Sequence, residues 1–195
     1  MDYIKTFNTT IDVSPYKELF SRIDNSLWDN PISKERDRRL SSFHQVYTLP
    51  LLLDLDTLGG DDVSKQCSKS EYWDQIYIEP FFNELCEKLN THLGKGYPTS
   101  SMFDLMEPKG YIEPHTDNLS LPARVNHRIH VPIVTDPSII FTNETDIIHM
   151  KEGHIYEIEN HLLHSVSNPT DDIRRIHLLL DWHIIGETAQ SRGIS

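Results

Sequence analysis

The sequence predicts a mainly β fold, a double-stranded β-helix of the jelly-roll or cupin-like kind, with N-terminal helices packed against it. After Gly96, short segments rich in β-branched and aromatic residues alternate with Pro, Gly, Asn and Asp punctuation, the texture of an antiparallel sandwich or barrel. No helical periodicity separates those segments. Before Gly96, two stretches carry the apolar recurrence of amphipathic helices.

In chain order, Ser14 reads as an N-cap with Pro15 at the first helical position. Tyr16, Leu19, Phe20 and Ile23 then recur at i, i+3, i+4 and i+7, which predicts a helix over 15–25, ended by Trp28 and Pro31. Residues 44–55 read as a strand in which Pro50 requires an edge position or a bulge. Residues 56–70, with Gly59-Gly60-Asp61-Asp62, have no periodicity and read as a surface loop. The strongest helical signal runs from Ile78 to Leu93, where Phe81, Phe82, Leu85, Cys86, Leu89 and Leu93 form one apolar stripe that Gly94 and Gly96 stop. Candidate strands follow at 100–106, 110–114, 128–134, 138–142, 146–150, 154–158, 161–166 and 174–183. Pro108-Lys109-Gly110 and Lys151-Glu152-Gly153 read as turns between strands. The whole is expected to form one domain over 1–195: a helix and strand preamble to 97, a jelly-roll core over 98–185 and a tail over 186–195.

Thirty acidic against 18 basic residues give a net charge of −12, which argues against nucleic acid as a partner, because that affinity comes from neutralising phosphates. The basic run from Lys34 to Arg39 contains two acids and reads as a solvated helix face. Two cysteines, Cys67 and Cys86, make no disulfide framework and suggest free thiols in a reducing compartment. No apolar run approaches the roughly 20 residues of a membrane span, and Met1 to Lys5 lack signal-peptide character. A cytoplasmic protein, not bound to membranes, is the expectation.

Nine of the eleven histidines fall between His115 and His183. His115 and Asp117, two residues apart, can share one side of an extended strand end. His164 offers a further imidazole 47 positions after Asp117, and Arg175 follows eleven beyond that. Two imidazoles and a carboxylate can occupy one face of an iron ion and leave positions open for a cosubstrate and O₂. Arg175 starts an apolar strand, where a guanidinium needs an anionic partner, and Arg128 with His130 repeats that pattern on one strand face. Each residue also has a plainer reading. His115 and Asp117 suit a surface turn, His164 suits a core position, and the arginines could pair with carboxylates such as Asp136 or Asp181.

These residues, in this order, resemble the aspartyl/asparaginyl β-hydroxylase family of Fe(II)/2-oxoglutarate oxygenases. The resemblance runs from about Met102 to His183, through Glu107-Pro108-Lys109-Gly110, Pro114-His115-Thr116-Asp117-Asn118 and Arg128-Ile129-His130-Val131-Pro132. It continues through His164-Ser165-Val166-Ser167-Asn168, Arg175-Ile176-His177-Leu178 and Asp181-Trp182-His183. It implies His115, Asp117 and His164 as iron ligands, and Arg175 as the partner of the distal 2-oxoglutarate carboxylate. Arg128 and His130 would hold the cosubstrate or line the substrate side. Asp117 sets the chain apart from family members that lack a carboxylate ligand. Asn126 stands where some members have a second arginine, and Asp104 where a small hydroxyl residue can help hold 2-oxoglutarate. The implied activity is hydroxylation of an amino-acid side chain, either peptidyl Asp/Asn or a free amino acid such as proline, so the partner is a small molecule or a peptide. The alternative is a non-catalytic cupin-like metal-binding or sensor module.

Overall fold

In a computed structural model, ten strands among the described residues hydrogen-bond into one antiparallel system that doubles over on itself, with helices on one outer face. The structure describes residues 2–34, 42–54, 67–117, 126–188 and 190–192. Strand β1 (Ile4–Thr10) precedes helix α1 (Ser14–Arg22), and α2 is helical over 31–34. Strands β2 (Phe43–Asp54) and β3 (Cys67–Lys69) lead to helices α3 (Tyr72–Gln75) and α4 (Glu79–His92). Then come β4 (Gly96–His115), β5 (His127–Val134), β6 (Ile140–Asn143), β7 (Asp146–Ile148), β8 (His154–Ile158), β9 (His164–Ser167) and β10 (Arg175–Ile184). The strand order is β1-β8-β5-β10-β4-β9-β6-β7, and β2 lies along β4 with β3 at its side.

The longest strand joins the two layers. From Gly96 to Met106, β4 pairs with β10; from Tyr111 to His115 it pairs with β9. Between those parts, residues 107–110 bulge out opposite a single residue of β2, Gln45, and both Lys109 (φ 63°) and Gln45 (φ 58°) take left-handed backbone. Pro108-Lys109-Gly110 therefore forms a bulge inside one strand, where the sequence suggested a turn between two. Gly110 is needed there, since a Cβ would lie 2.7 Å from Met106 and 2.8 Å from the Glu107 carbonyl. The register of β2 also slips between Pro50 and Leu52, the irregularity that Pro50 demands.

Alternation along β10 shows how the layers divide. Ile176, Leu178, Leu180 and Trp182 enter the large core beneath the helices, with Phe103, Leu105, Ile129 and Val131 from neighbouring strands. Phe20 meets Phe103 edge-on at 4.9 Å, and Tyr16 meets Phe81 at 4.9 Å, so α1 and α4 seal that face together. Helix α4 buries Phe81, Phe82, Leu85 and Leu89 and is followed by Gly94 at φ 119°, as its stripe and glycine signalled. Helix α1 starts one residue earlier than expected. Val13 is its cap and Ser14 is already helical, while the Asp12 carboxylate accepts from the Ser14 N–H.

The opposite side chains of β10, starting with Arg175 and His177, face between the layers with Met106, Phe141, Tyr156, Ile158 and Val166 of a second, smaller core. Strand β1 and the short α3 were not foreseen. Residues 56–66 of the expected loop, and all of the basic run but Lys34, fall outside the described residues. No helix among the described residues is long and apolar enough to cross a membrane.

Candidate metal centre and its cleft

His115 ends β4, His164 begins β9, and the two are direct partners in the ladder, with ring centroids 4.3 Å apart. Between Ile112 and His115 the pairing with β9 slips by one residue. That bulge puts His115 on the same side as Ile112, which three steps of regular pleat would not do. The Nδ1 of His115 lies 2.8 Å from the Glu113 carbonyl, and the Nδ1 of His164 lies 2.9 Å from the Leu162 carbonyl. A carbonyl only accepts, so each Nδ1 carries a proton, and the neutral tautomer of each ring presents its lone pair at Nε2. Asp117 places Oδ1 3.7 Å from both Nε2 atoms. One donor atom from each residue lies within 4.8 Å of the others.

The protonation states suit a cation. Burial works against the Asp117 carboxylate, but Arg128, His164, Asn160 and His115 outweigh it and hold its pKa below the usual carboxylate value. Burial also lowers the His164 pKa, leaving a neutral imidazole at pH 7. Two imidazoles with their far nitrogens tied to carbonyls, plus one ionised carboxylate, form a donor set that a divalent first-row metal accepts.

The three residues share a cleft of roughly 420 Å³, including its solvent-open part, with Asp104, Arg128, His130 and Arg175. Phe43, Phe141 and Leu179 supply apolar wall. Arg175 is only 3 % exposed. Its Nη2 donates to His177 Nδ1 at 2.9 Å, and no carboxylate among the described residues lies within ion-pair distance. Burial holds its pKa down to about 10, against an opposing pull from Asp104. His130 is 5 % exposed, and neither ring nitrogen has a hydrogen-bond partner among the described residues. Burial first, and Arg175 second, push the pKa values of His130 and His177 well below the ordinary imidazole value. A buried guanidinium that bonds no carboxylate directly among the described residues and feels only the longer-range pull of Asp104, beside an imidazole with open ring nitrogens, is a place for an anion that accepts hydrogen bonds.

Arg128 is differently placed. Its Nε and Nη2 bond both oxygens of Asp181, its direct partner on β10, at 2.5 and 3.1 Å. Its Nη1 lies 3.3 Å from Asp117 Oδ2. Burial alone would lower the guanidinium pKa, but Asp181 and Asp117 reverse this and raise it. Asp104 accepts from the Thr48 hydroxyl at 2.8 Å, and Asn126 donates to Thr99 and accepts from His183. Arg174 points elsewhere, to Glu107 and Asn25.

All six sequence-nominated residues, His115, Asp117, His164, Arg175, Arg128 and His130, thus line one cleft. The pairing of Arg128 with Asp181, the plainer reading, holds as well. Asn160 was not foreseen. It donates from Nδ2 to Asp117 Oδ2 at 3.0 Å and accepts the Asp117 N–H at its carbonyl, also at 3.0 Å. No sequence spacing marks a residue that acts through a loop-to-strand contact. The apolar walls Phe43 and Phe141 also carried no sequence signal beyond ordinary strand composition.

Comparison with solved structures returns the same fold at low identity. A Pseudomonas putida prolyl-4-hydroxylase superposes with a TM-score of 0.52 at 13 % identity, covering 94 % of each chain. The viral collagen prolyl hydroxylase of Paramecium bursaria Chlorella virus 1, solved with 2-oxoglutarate, gives 0.51 at 11 % identity over 94 % of this chain and 97 % of that one. A 2OG-Fe(II) oxygenase-family oxidoreductase from Burkholderia pseudomallei gives 0.52 at 10 % identity over 73 % and 68 %. Likeness at that identity establishes the jelly-roll architecture. No curated protein sequence matches the chain. The family model for aspartyl/asparaginyl beta-hydroxylase matches residues 66–183, which span α3, α4 and every strand from β3 through most of β10. On that match, the chain belongs to the aspartyl/asparaginyl beta-hydroxylase family, a family of hydroxylase enzymes.

Proposed function

We propose that this protein is an Fe(II)- and 2-oxoglutarate-dependent dioxygenase that hydroxylates an amino-acid side chain, with His115, Asp117 and His164 holding the iron. The observation that carries this reading is Arg175, a buried guanidinium that bonds no carboxylate directly among the described residues, in the same cleft as the three donors. A bare metal-binding module has no use for it, since an uncompensated buried charge costs stability. A dicarboxylate cosubstrate gives it a planar, bidentate partner. When bound, iron and 2-oxoglutarate supply oxidative decarboxylation to succinate and CO₂, coupled to hydroxylation of a C–H bond.

The chain's own part is to bind, orient and exclude water. The carbonyls of Glu113 and Leu162 fix the tautomers of the two histidines, so both lone pairs face the donor atom of Asp117. Arg175 takes the distal carboxylate, and His130, with both ring nitrogens unsatisfied, faces the same space. Arg128 lines the wall with its guanidinium already engaged. Phe43, Phe141 and Leu179 keep the reacting region dry. We take residues 1–195 as one catalytic domain, because β1 and β2 hydrogen-bond into the sheet that carries the site.

The acceptor is an amino-acid side chain, peptidyl or free. Prolyl hydroxylases among the similar structures, and Asn126 in place of a second arginine, favour a residue other than a carboxylate-bearing one. The test is thermal unfolding with Mn(II) and 2-oxoglutarate, together and separately, followed by succinate release with Fe(II). Stabilisation that requires both, and succinate release lost in His115→Ala, Asp117→Ala and His164→Ala, is expected. Full turnover in those variants would sink the assignment.

A further inference from the structure

The oxygens of Asp117 have different partners, and the difference extends across three strands. Oδ1 faces the two histidines at 3.7 Å. Oδ2 faces away from them, toward Asn160 Nδ2 at 3.0 Å and Arg128 Nη1 at 3.3 Å. Asn160 is 3 % exposed and also receives the Asp117 N–H on its carbonyl, so it grips the residue at backbone and side chain together. Arg128 is in turn fixed by Asp181, and Asp181 Oδ2 takes a hydrogen bond from Ser100 at 2.6 Å. Ser100, Asp181 and Arg128 lie opposite one another on β4, β10 and β5, so their order follows from strand register.

This inference rests on the metal reading above. We propose that Asp181, Arg128 and Asn160 clamp the outer oxygen of Asp117 and leave Oδ1 alone to bind the metal, which makes Arg128 and Asn160 positioning residues for the metal centre. A carboxylate with both oxygens free can chelate an ion and occupy two coordination positions. One whose second oxygen holds two donors occupies a single position, and so keeps another open for the cosubstrate or O₂. The clamp also limits what Arg128 can do elsewhere. Nε and Nη2 each give one N–H to Asp181 and Nη1 faces Asp117, so two carboxylates already neutralise this guanidinium and fix its orientation, which weakens its pull on an anionic substrate. A lysine could not replace it, having one point of charge in place of a fork.

The test is Mn(II) titration of the apo-protein by calorimetry, with far-ultraviolet circular dichroism to establish folding. Asn160→Ala and Arg128→Lys are expected to bind Mn(II) about 10- to 100-fold more weakly than wild type, the usual effect of removing a partner of a metal ligand. Asp181→Asn, which touches no ligand and acts only through Arg128, is expected to weaken binding in the same direction by less. In contrast, Arg175→Met is expected to keep wild-type Mn(II) affinity and lose the response to 2-oxoglutarate. Folded Asn160→Ala and Arg128→Lys proteins with unchanged Mn(II) affinity would overturn the clamp while leaving the triad standing. A wild type that binds no Mn(II) would overturn both. A measurement without variants completes the test: the infrared carboxylate bands that change when wild type takes up Mn(II). A one-oxygen binding pattern supports the clamp, and a chelating pattern overturns it.

Discussion

Replacing Arg175 with methionine is expected to make the cosubstrate-free protein more stable and to make it deaf to 2-oxoglutarate. The guanidinium is 3 % exposed, and burial is the main cause that lowers its pKa from the ordinary arginine value to about 10. At about 1.4 kcal/mol per pH unit, keeping that charge in the fold costs roughly 3 kcal/mol. Methionine has a similar unbranched length and no charge, so most of the cost disappears. The substitution also removes the hydrogen bond to His177 Nδ1 and leaves a buried acceptor bare, a loss of about 1–2 kcal/mol. The balance is a net gain of about 1–2 kcal/mol, or a rise of roughly 2–8 °C in Tm for a chain of this size. Wild type should gain about 2.7 kcal/mol from 2-oxoglutarate at 100 times its Kd in the presence of Mn(II), and the variant nothing. Differential scanning calorimetry with and without the two ligands reads both effects. A variant less stable than wild type would refute the claim that burying the Arg175 charge is a net cost to the fold. A variant still stabilised by 2-oxoglutarate would remove Arg175 from the cosubstrate site.

Three further outcomes follow from the same geometry. Below the unfolded histidine pKa of about 6.5, the unfolded chain binds protons that folded His130 and His177 refuse, because their folded values are depressed. Stability is therefore fully present above that pH and falls on acidification toward the folded values, by up to about 1.4 kcal/mol per pH unit per histidine. Denaturant unfolding at pH 7 and pH 5.5 should show the loss, and His177→Leu should flatten the slope. Phe103→Ala removes a fully buried ring touched by Phe20 and Tyr16, and should cost about 3–5 kcal/mol in urea unfolding. Gly96→Ala places a Cβ 2.3 Å from the His183 carbonyl and 2.5 Å from the Trp182 indole nitrogen, so backbone must shift. A Tm drop equivalent to about 1–3 kcal/mol is expected, and an unchanged Tm would show that β4 begins later than Gly96.

The parts of the site that the sequence disclosed are those written in local chemistry. His115 and Asp117 are two residues apart, and Arg175 stands at the head of an apolar run, so residue type and short spacing were enough to nominate them. The partnership of His115 with His164 depends on the register of β4 against β9, which a linear reading supplies only through resemblance. Asn160 was invisible because its two contacts with Asp117 join the segment before β9 to the end of β4. Among fold elements, α4 announced itself through a clean apolar stripe and a glycine stop. Strand β1 buries only Ile4 and so lacks the alternation that marks a half-buried strand. Pro108 and Gly110 signalled an irregular backbone correctly, but composition does not say whether pairing resumes beyond it. Here it does, on the other layer.

Strand β10 assigns two jobs to alternate residues. Ile176, Leu178, Leu180 and Trp182 serve the helix-covered core, while Arg175, Leu179 and Asp181 serve the cleft or its clamp. A saturation scan of this one strand would therefore split into two interleaved phenotypes. Substitutions at the first set would lower protein abundance and leave specific activity per folded molecule nearly intact. Substitutions at Arg175 would leave abundance unchanged or higher and abolish turnover, whereas those at Asp181 would also unpair the buried Arg128 and lower stability and metal affinity together. The strand could then be repacked on one side to harden the enzyme, or recoded on the other to redirect it, with little cross-talk between the two campaigns.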